Sequence, residues 1–190
     1  MMLGRGALVT VAGLASVQAA ASGTPTIVVG PGDGLNIRGS NIECAVSTSA
    51  PRAMICGLGG QQSLLAKSYA FTVADRGAAI FVATGNQRTV ARQMNPPLSG
   101  APFKGPGHKP VNYVLAQHEH VIVAGTHIAC GALLLNGLET FGCGAYDTST
   151  GTSGYYVTGT YAVTISDHYV GILRAGGNGA QTVVAIEKQP

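Results

Sequence analysis

Tryptophan is absent from this chain of 190 residues, and only 10% of the residues are charged. Without indole rings a sugar-stacking surface would have to be built from the seven tyrosines. Lysine and arginine form no run and no basic helix face, so the electrostatic footprint of a nucleic-acid binder is missing. The four cysteines, Cys44, Cys56, Cys130 and Cys143, lack the close C-x2-C spacing of a cysteine zinc site. Neither a G-x-S-x-G elbow nor an H-E-x-x-H helix occurs. "GPGDG" (30–34) lacks the lysine and the strand–loop–helix setting of a phosphate loop, and reads as a turn.

The apolar run near the start, Ala7 to Val17, falls short of the roughly 20 residues a membrane span needs. It follows Arg5 and precedes small residues, with Ala19 and Ala21 at the −3 and −1 positions of an A-x-A site. Residues 1–21 therefore read as a signal peptide cut before Ser22, leaving no membrane span in the mature chain. Loss of Arg5 leaves ten Lys/Arg against eight Asp/Glu, a small and scattered charge. An even number of cysteines behind such a leader predicts disulfides and a secreted, extracellular or cell-envelope location.

What the chain has in quantity is internal likeness. "SYAFTVADRGAAIF" (68–81) lies over "TYAVTISDHYVGIL" (160–173), and "LNIRGSNIEC" (35–44) over "VIVAGTHIAC" (121–130) without a gap. "ICG" (55–57) meets "GCG" (142–144), and "GNQRTVA" (85–91) meets "GNGAQTVVA" (177–185). These matches divide the mature chain into a first β repeat over 22–93, a Pro/Gly-rich linker over 94–111 and a second β repeat over 112–190. A duplicated unit brings its own cysteine pair, which predicts Cys44–Cys56 and Cys130–Cys143.

Short β-branched segments bounded by Gly, Pro, Asn or Ser fill both repeats, from "TIVV" and "YAFTVA" to "GYYVT" and "QTVVAIEK". Only "QQSLLAKS" has the makings of a helical turn. Each repeat is too small for a core of its own, so the expected fold is all-β, a pseudo-twofold sandwich or barrel in which the repeats share one core. Two tandem β-domains joined by the linker are the alternative.

Asp75 and Asp167 each stand between two apolar strands, and read as hairpin-turn residues bonding to backbone N–H groups two positions on. All five histidines (His108, His118, His120, His127 and His168) lie in the linker or the second repeat. Strand alternation would put His118 and His120 on one face, and His127 or Glu119 nearby would begin a zinc or copper site. Solvent-facing histidines on an edge strand are the plainer reading. Around "DTSTGTSG" (147–154), Tyr146, Tyr155 and Tyr156 are candidate ligand-binding residues, with packing of strands as the other role open to them.

"SNIECAVSTSAPRAMICG" resembles the cysteine hairpin of small exported actinobacterial domains that begin S/G-N-I-x-C. "GCGAYDTSTGTSGYYVTGTY" is similar to the Gly-aromatic stretch after the later cysteine of those domains. The resemblance implies an exported β architecture and carries over no catalytic residue. "TFGCGAY" shares only its Gly-Cys pair with the S-x-G-C-x-R motif of L,D-transpeptidases, with Thr140 for the Ser and Ala145 for the Arg. The sequence thus points to a secreted, non-enzymatic β-protein with an envelope or extracellular partner and no cofactor. The alternative is a metal-binding protein or metal-dependent enzyme using His118 and His120.

Overall fold

The computed structural model describes residues 26–49, 52–59, 68–82, 89–105, 107, 109–135, 138–146, 156–177 and 180–190. The helical turn expected at 61–68 lies outside these residues except for Ser68. Fourteen strands are described, and none of the helices among the described residues is long and apolar enough to cross a membrane.

The first seven strands are β1 (Thr26–Val29), β2 (Gly34–Ile37), β3 (Ile42–Val46), β4 (Met54–Leu58), β5 (Tyr69–Ala74), β6 (Gly77–Val82) and β7 (Thr89–Met94). Then come β8 (Asn112–Leu115), β9 (His120–Val123), β10 (Ile128–Leu135), β11 (Leu138–Ala145), β12 (Tyr161–Ser166), β13 (Tyr169–Ala175) and β14 (Gln181–Lys188). Alternation sets their faces: Ile42, Cys44 and Val46 of β3 are buried while Glu43 and Ala45 are exposed, because successive side chains point to opposite faces. "GYYVT" departs from expectation, since Tyr156 and Val157 lie outside any strand and Thr158–Gly159 is a turn.

Two mixed seven-stranded sheets pack into a β-sandwich. Sheet A runs β1-β9-β10-β11-β12-β13-β14, and sheet B runs β8-β2-β3-β4-β5-β6-β7 when read from β8. Each order becomes the other when every strand is exchanged for the one seven places away. The first strand of each half has crossed over: β1 pairs in parallel with β9, starting at Thr26 against His120, and β8 pairs in parallel with β2, starting at Asn112 against Gly34. Both sheets carry a register shift at matching places, Ile80/Phe81 and Ile172/Leu173.

β5 and β6 face β11, β12 and β13, and one buried cluster draws on both sheets, including Phe71, Ile80, Met54, Phe141, Ile165 and Ile172. With exchanged strands and one core, independent tandem domains are excluded. The two disulfides, Cys44–Cys56 and Cys130–Cys143, join directly opposed residues of β3/β4 and β10/β11, each with Cα atoms 4.1 Å apart. All four sulfurs belong to the core. Such bonds persist in an oxidising compartment.

Polar clasps tie each half to the other. Asn95 donates its N–H to the Arg76 carbonyl (3.0 Å) and accepts from Tyr161 N–H (2.6 Å). Gln189 likewise donates to the His168 carbonyl (2.9 Å) and accepts from Tyr69 N–H (2.8 Å). Gln189, one methylene longer, also donates its amide to the Tyr69 carbonyl, whereas the buried Asn95 amide nitrogen finds no partner among the described residues.

The segment after β7 is extended but not a loose linker. Phe103 exchanges backbone hydrogen bonds with Thr126 and Gly125 (both 2.7 Å), and Leu98 packs on the main core. At its end Val111 is held by Gly34 N–H through its carbonyl and by Asp33 through its own N–H.

Candidate functional site

His118 and His120 do not share a strand face. His118 sits in the turn before β9 with φ 65°, the place filled by Gly32 (φ 84°) before β2. Left-handed backbone at that turn takes His118 out of the alternation on which a paired face depends. Glu119 is turned to the backbone, accepting from Ala116 N–H at 2.6 Å.

His127 is committed elsewhere: its N–H donates to Asp75 Oδ1 (2.7 Å), while Nδ1 lies 2.8 Å from Asp75 Oδ2 and Nε2 lies 3.2 Å from the Gly100 carbonyl. No group of three or more His, Cys, Asp or Glu among the described residues could hold a metal ion. His108 lies outside the described residues.

The two hairpin aspartates do stand in turns, between β5 and β6 and between β12 and β13. Their carboxylates act across the molecule. Asp167 accepts from the N–H and the side-chain amide of Asn41 (3.0 and 3.3 Å), as Asp75 does from His127. A turn residue two positions on offers one N–H, whereas Asn41 and His127, each just before a strand of the other half, offer an N–H and a side chain together.

Burial lowers the pKa of His120 below the usual histidine value of 6.5, with the neighbouring His118 charge adding to the effect. The unfolded chain therefore binds this proton more readily than the folded one. Stability is expected to fall as pH drops below about 6.5, until the folded-state pKa is passed. His120→Gln should flatten that part of a urea-denaturation profile taken against pH. An unchanged slope would reassign it.

Tyr146 and Tyr156 are buried, 7% and 6% exposed, and so present no recognition patch. Their rings meet edge to face, with centroids 5.3 Å apart, in a small cluster with Ala129, Ala162, Leu173 and Ala175 against which Phe103 packs. Desolvation pushes both phenol pKa values up. Tyr155 lies outside the described residues.

The Tyr156 ring lies against Gly144, where an added Cβ would come within 2.5–2.8 Å of three ring carbons. Gly144→Ala is expected to destabilise by about 1–3 kcal/mol, as overpacking does. The matching Gly57→Ala meets only the Ala70 methyl at 3.1 Å and should cost less. Melting curves compare the two, and near-UV circular dichroism reports on tyrosine without tryptophan interference.

An open groove of about 780 Å³ crosses the outer face of sheet B over β4 to β7. Inward residues Met54, Cys56, Phe71, Val73, Ala78 and Ile80 fill the core, so alternation turns the residues between them outward. Ladder pairing lines up Ile55, Thr72, Ala79 and Arg92 across four strands. Phe81 flanks this row on one side, and Ala53, Ala74, Gly77 and Met94 flank it on the other. Ile55 and Met94 are 39% and 56% exposed. Arg76, in the hairpin turn, and Arg92 are exposed, and among the described residues no acidic one lines the groove.

Five of the eight acidic residues serve as internal acceptors: Asp33, Asp75, Glu119, Glu139 and Asp167. In the matching row of sheet A, Gly142, Thr164 and Gly171 are buried, while Ile186, opposite Gly171 as Arg92 is opposite Ala79, is 59% exposed. Sequence reading missed the groove because Arg76 reads as a turn residue and Arg92 as part of a strand. The available signal was departure between matched positions, Ile55 against Gly142 and Arg76 against His168. No family model, curated protein or solved structure matches the chain.

Proposed function

We propose that this chain is an exported, non-enzymatic binding protein of the cell envelope or the extracellular space, built by duplication of a β unit, with the sheet B groove as its binding surface. One observation carries the reading: in two sheets of the same strand order, sheet B leaves Ile55, Thr72 and Ala79 partly or fully exposed where their sheet A counterparts are buried, and places the cation Arg92 where sheet A has Ile186. A concave, largely apolar surface with a few charged groups is the usual form of a ligand site. The apolar leader before Ser22, the two disulfides and the likeness to exported actinobacterial domains support the location.

Amide chemical-shift mapping during isopropanol titration tests the surface. The largest shifts are expected at residues 53–55, 72–79 and 92–94, and shifts scattered over the molecule would remove the groove from consideration. N-terminal sequencing of protein from the culture medium tests export, with Ser22 as the expected first residue. Full-length protein retained in the cell would count against it.

A further inference from the structure

Chemistry is distributed unevenly along the groove. Both cations stand at the β7 side, Arg92 opposite Ala79 and Arg76 beside Gly77, which itself pairs with Met94. Away from them the lining runs through Ala79, Thr72 and Ala74 to Ala53 and Ile55, with Phe81 at the flank. Among the described residues, Thr72 and Ser47 are the only uncharged polar side chains in that lining. A ligand matching this layout has an anionic head and an apolar body. The groove's volume lies within the range of about 300–1,000 Å³ usual for small-molecule sites.

An added peptide strand fits less well. β7 is the edge of sheet B, but its ladder with β6 shifts register between Ile80 and Phe81, where Ala91 and Thr89 are the respective partners. A bulge of this kind twists an edge away from further pairing. Recognition therefore falls to the face rather than to the edge.

We infer that the groove takes a single-chain anionic amphiphile, its carboxylate or phosphate head at Arg76 and Arg92 and its hydrocarbon body across β6, β5 and β4. This rests on the assignment of the groove as the binding surface. Arginine forks pair with either head in two parallel hydrogen bonds, and the exposed Ile55 and Met94 side chains gain burial under the chain.

Calorimetric titration of the mature protein tests this with decanoate, decyl phosphate, decyl maltoside and decyltrimethylammonium, each below its micellar concentration. The anions are expected to bind about tenfold or more tighter than the neutral and cationic amphiphiles, with affinity falling as salt rises. The two anions compared with each other identify the preferred head. An Arg76→Gln, Arg92→Gln double variant should bind the anions no better than the neutral amphiphile, while His168→Gln at the matching turn of sheet A should change nothing. Equal affinity for all heads, or unaltered anion binding by the double variant, overturns the inference.

Thr72→Trp, which fills the groove, separates the two levels of the argument. Anion binding that survives this variant places the site elsewhere and sinks the groove itself. If isopropanol maps to the groove but no amphiphile binds, the groove stands and the ligand class fails. Melting temperatures within a few degrees of the parent confirm that each variant is folded.

Discussion

Replacing Asp33 with Ala is expected to destabilise the protein by about 3–5 kcal/mol, among the largest single-residue effects in the molecule. The side chain is fully buried. Oδ2 accepts from Gly30 N–H and Oδ1 from Val111 N–H, both at 2.8 Å. Gly30 follows β1, which belongs to sheet A, and Val111 leads into β8, which belongs to sheet B. One carboxylate thus fixes the point where the chain leaves one sheet and the point where the exchanged strand enters the other. Removing it strands a buried donor, Gly30 N–H, and a part-buried one, Val111 N–H, at about 1–3 kcal/mol each, and leaves a void where the fully buried side chain stood. For a chain of this length the loss corresponds to roughly 10 °C in melting temperature. Glu119 stands in the same relation to Ala116 as Asp33 to Gly30, yet it is partly exposed, and among the described residues its carboxylate is not bonded to an entering strand. Glu119→Ala should cost about 1 kcal/mol or less. Similar losses for the two variants would show that the exchange is not held where the hydrogen bonds place it.

Strands, disulfide partners and a shared core were legible because each depends on local pattern. "NIECAV" and "AMICGL" alternate with period two, and cysteines that match between the halves need only their own hairpins to meet. The crossing of β1 and β8 was not legible. "TIVV" has the same β-branched character whether it pairs with β2 or with β9, and only the three-dimensional path decides. The turn positions of Asp75 and Asp167 were legible, but their long-range partners were not, for the same reason. Asp75 in "DRG" carries every mark of a turn, while its partner His127 lies 52 residues away. The shared strand face expected of His118 and His120 failed on one dihedral angle: His118 occupies a glycine-like turn position, and nothing in "HEH" announces a positive φ. The groove is harder still, since it arises from side chains on four strands and from acids being drawn to other places.

The disulfides separate an interlocked molecule from two joined domains more sharply than any other change. Each closes a loop of 12 or 13 residues, worth about 3 kcal/mol by chain entropy. The sulfurs are also core atoms, so Cys→Ala pairs lose packing besides. A Cys44→Ala, Cys56→Ala variant is expected to lose about 3–4 kcal/mol, and so is Cys130→Ala, Cys143→Ala. Removing both bonds takes away about 6–8 kcal/mol, comparable with the whole stability of an ordinary domain, and should leave the chain largely unfolded at 37 °C. The shape of the transition carries the structural content. Because β1 closes the second half's sheet, β8 closes the first half's, and Asn95 and Gln189 each reach across, neither half can melt alone. Scanning calorimetry of either single-disulfide variant should therefore show one cooperative peak, displaced downward by a similar amount whichever bond is missing. Independent domains would give two peaks, only one of them shifted, and that result would refute the strand exchange.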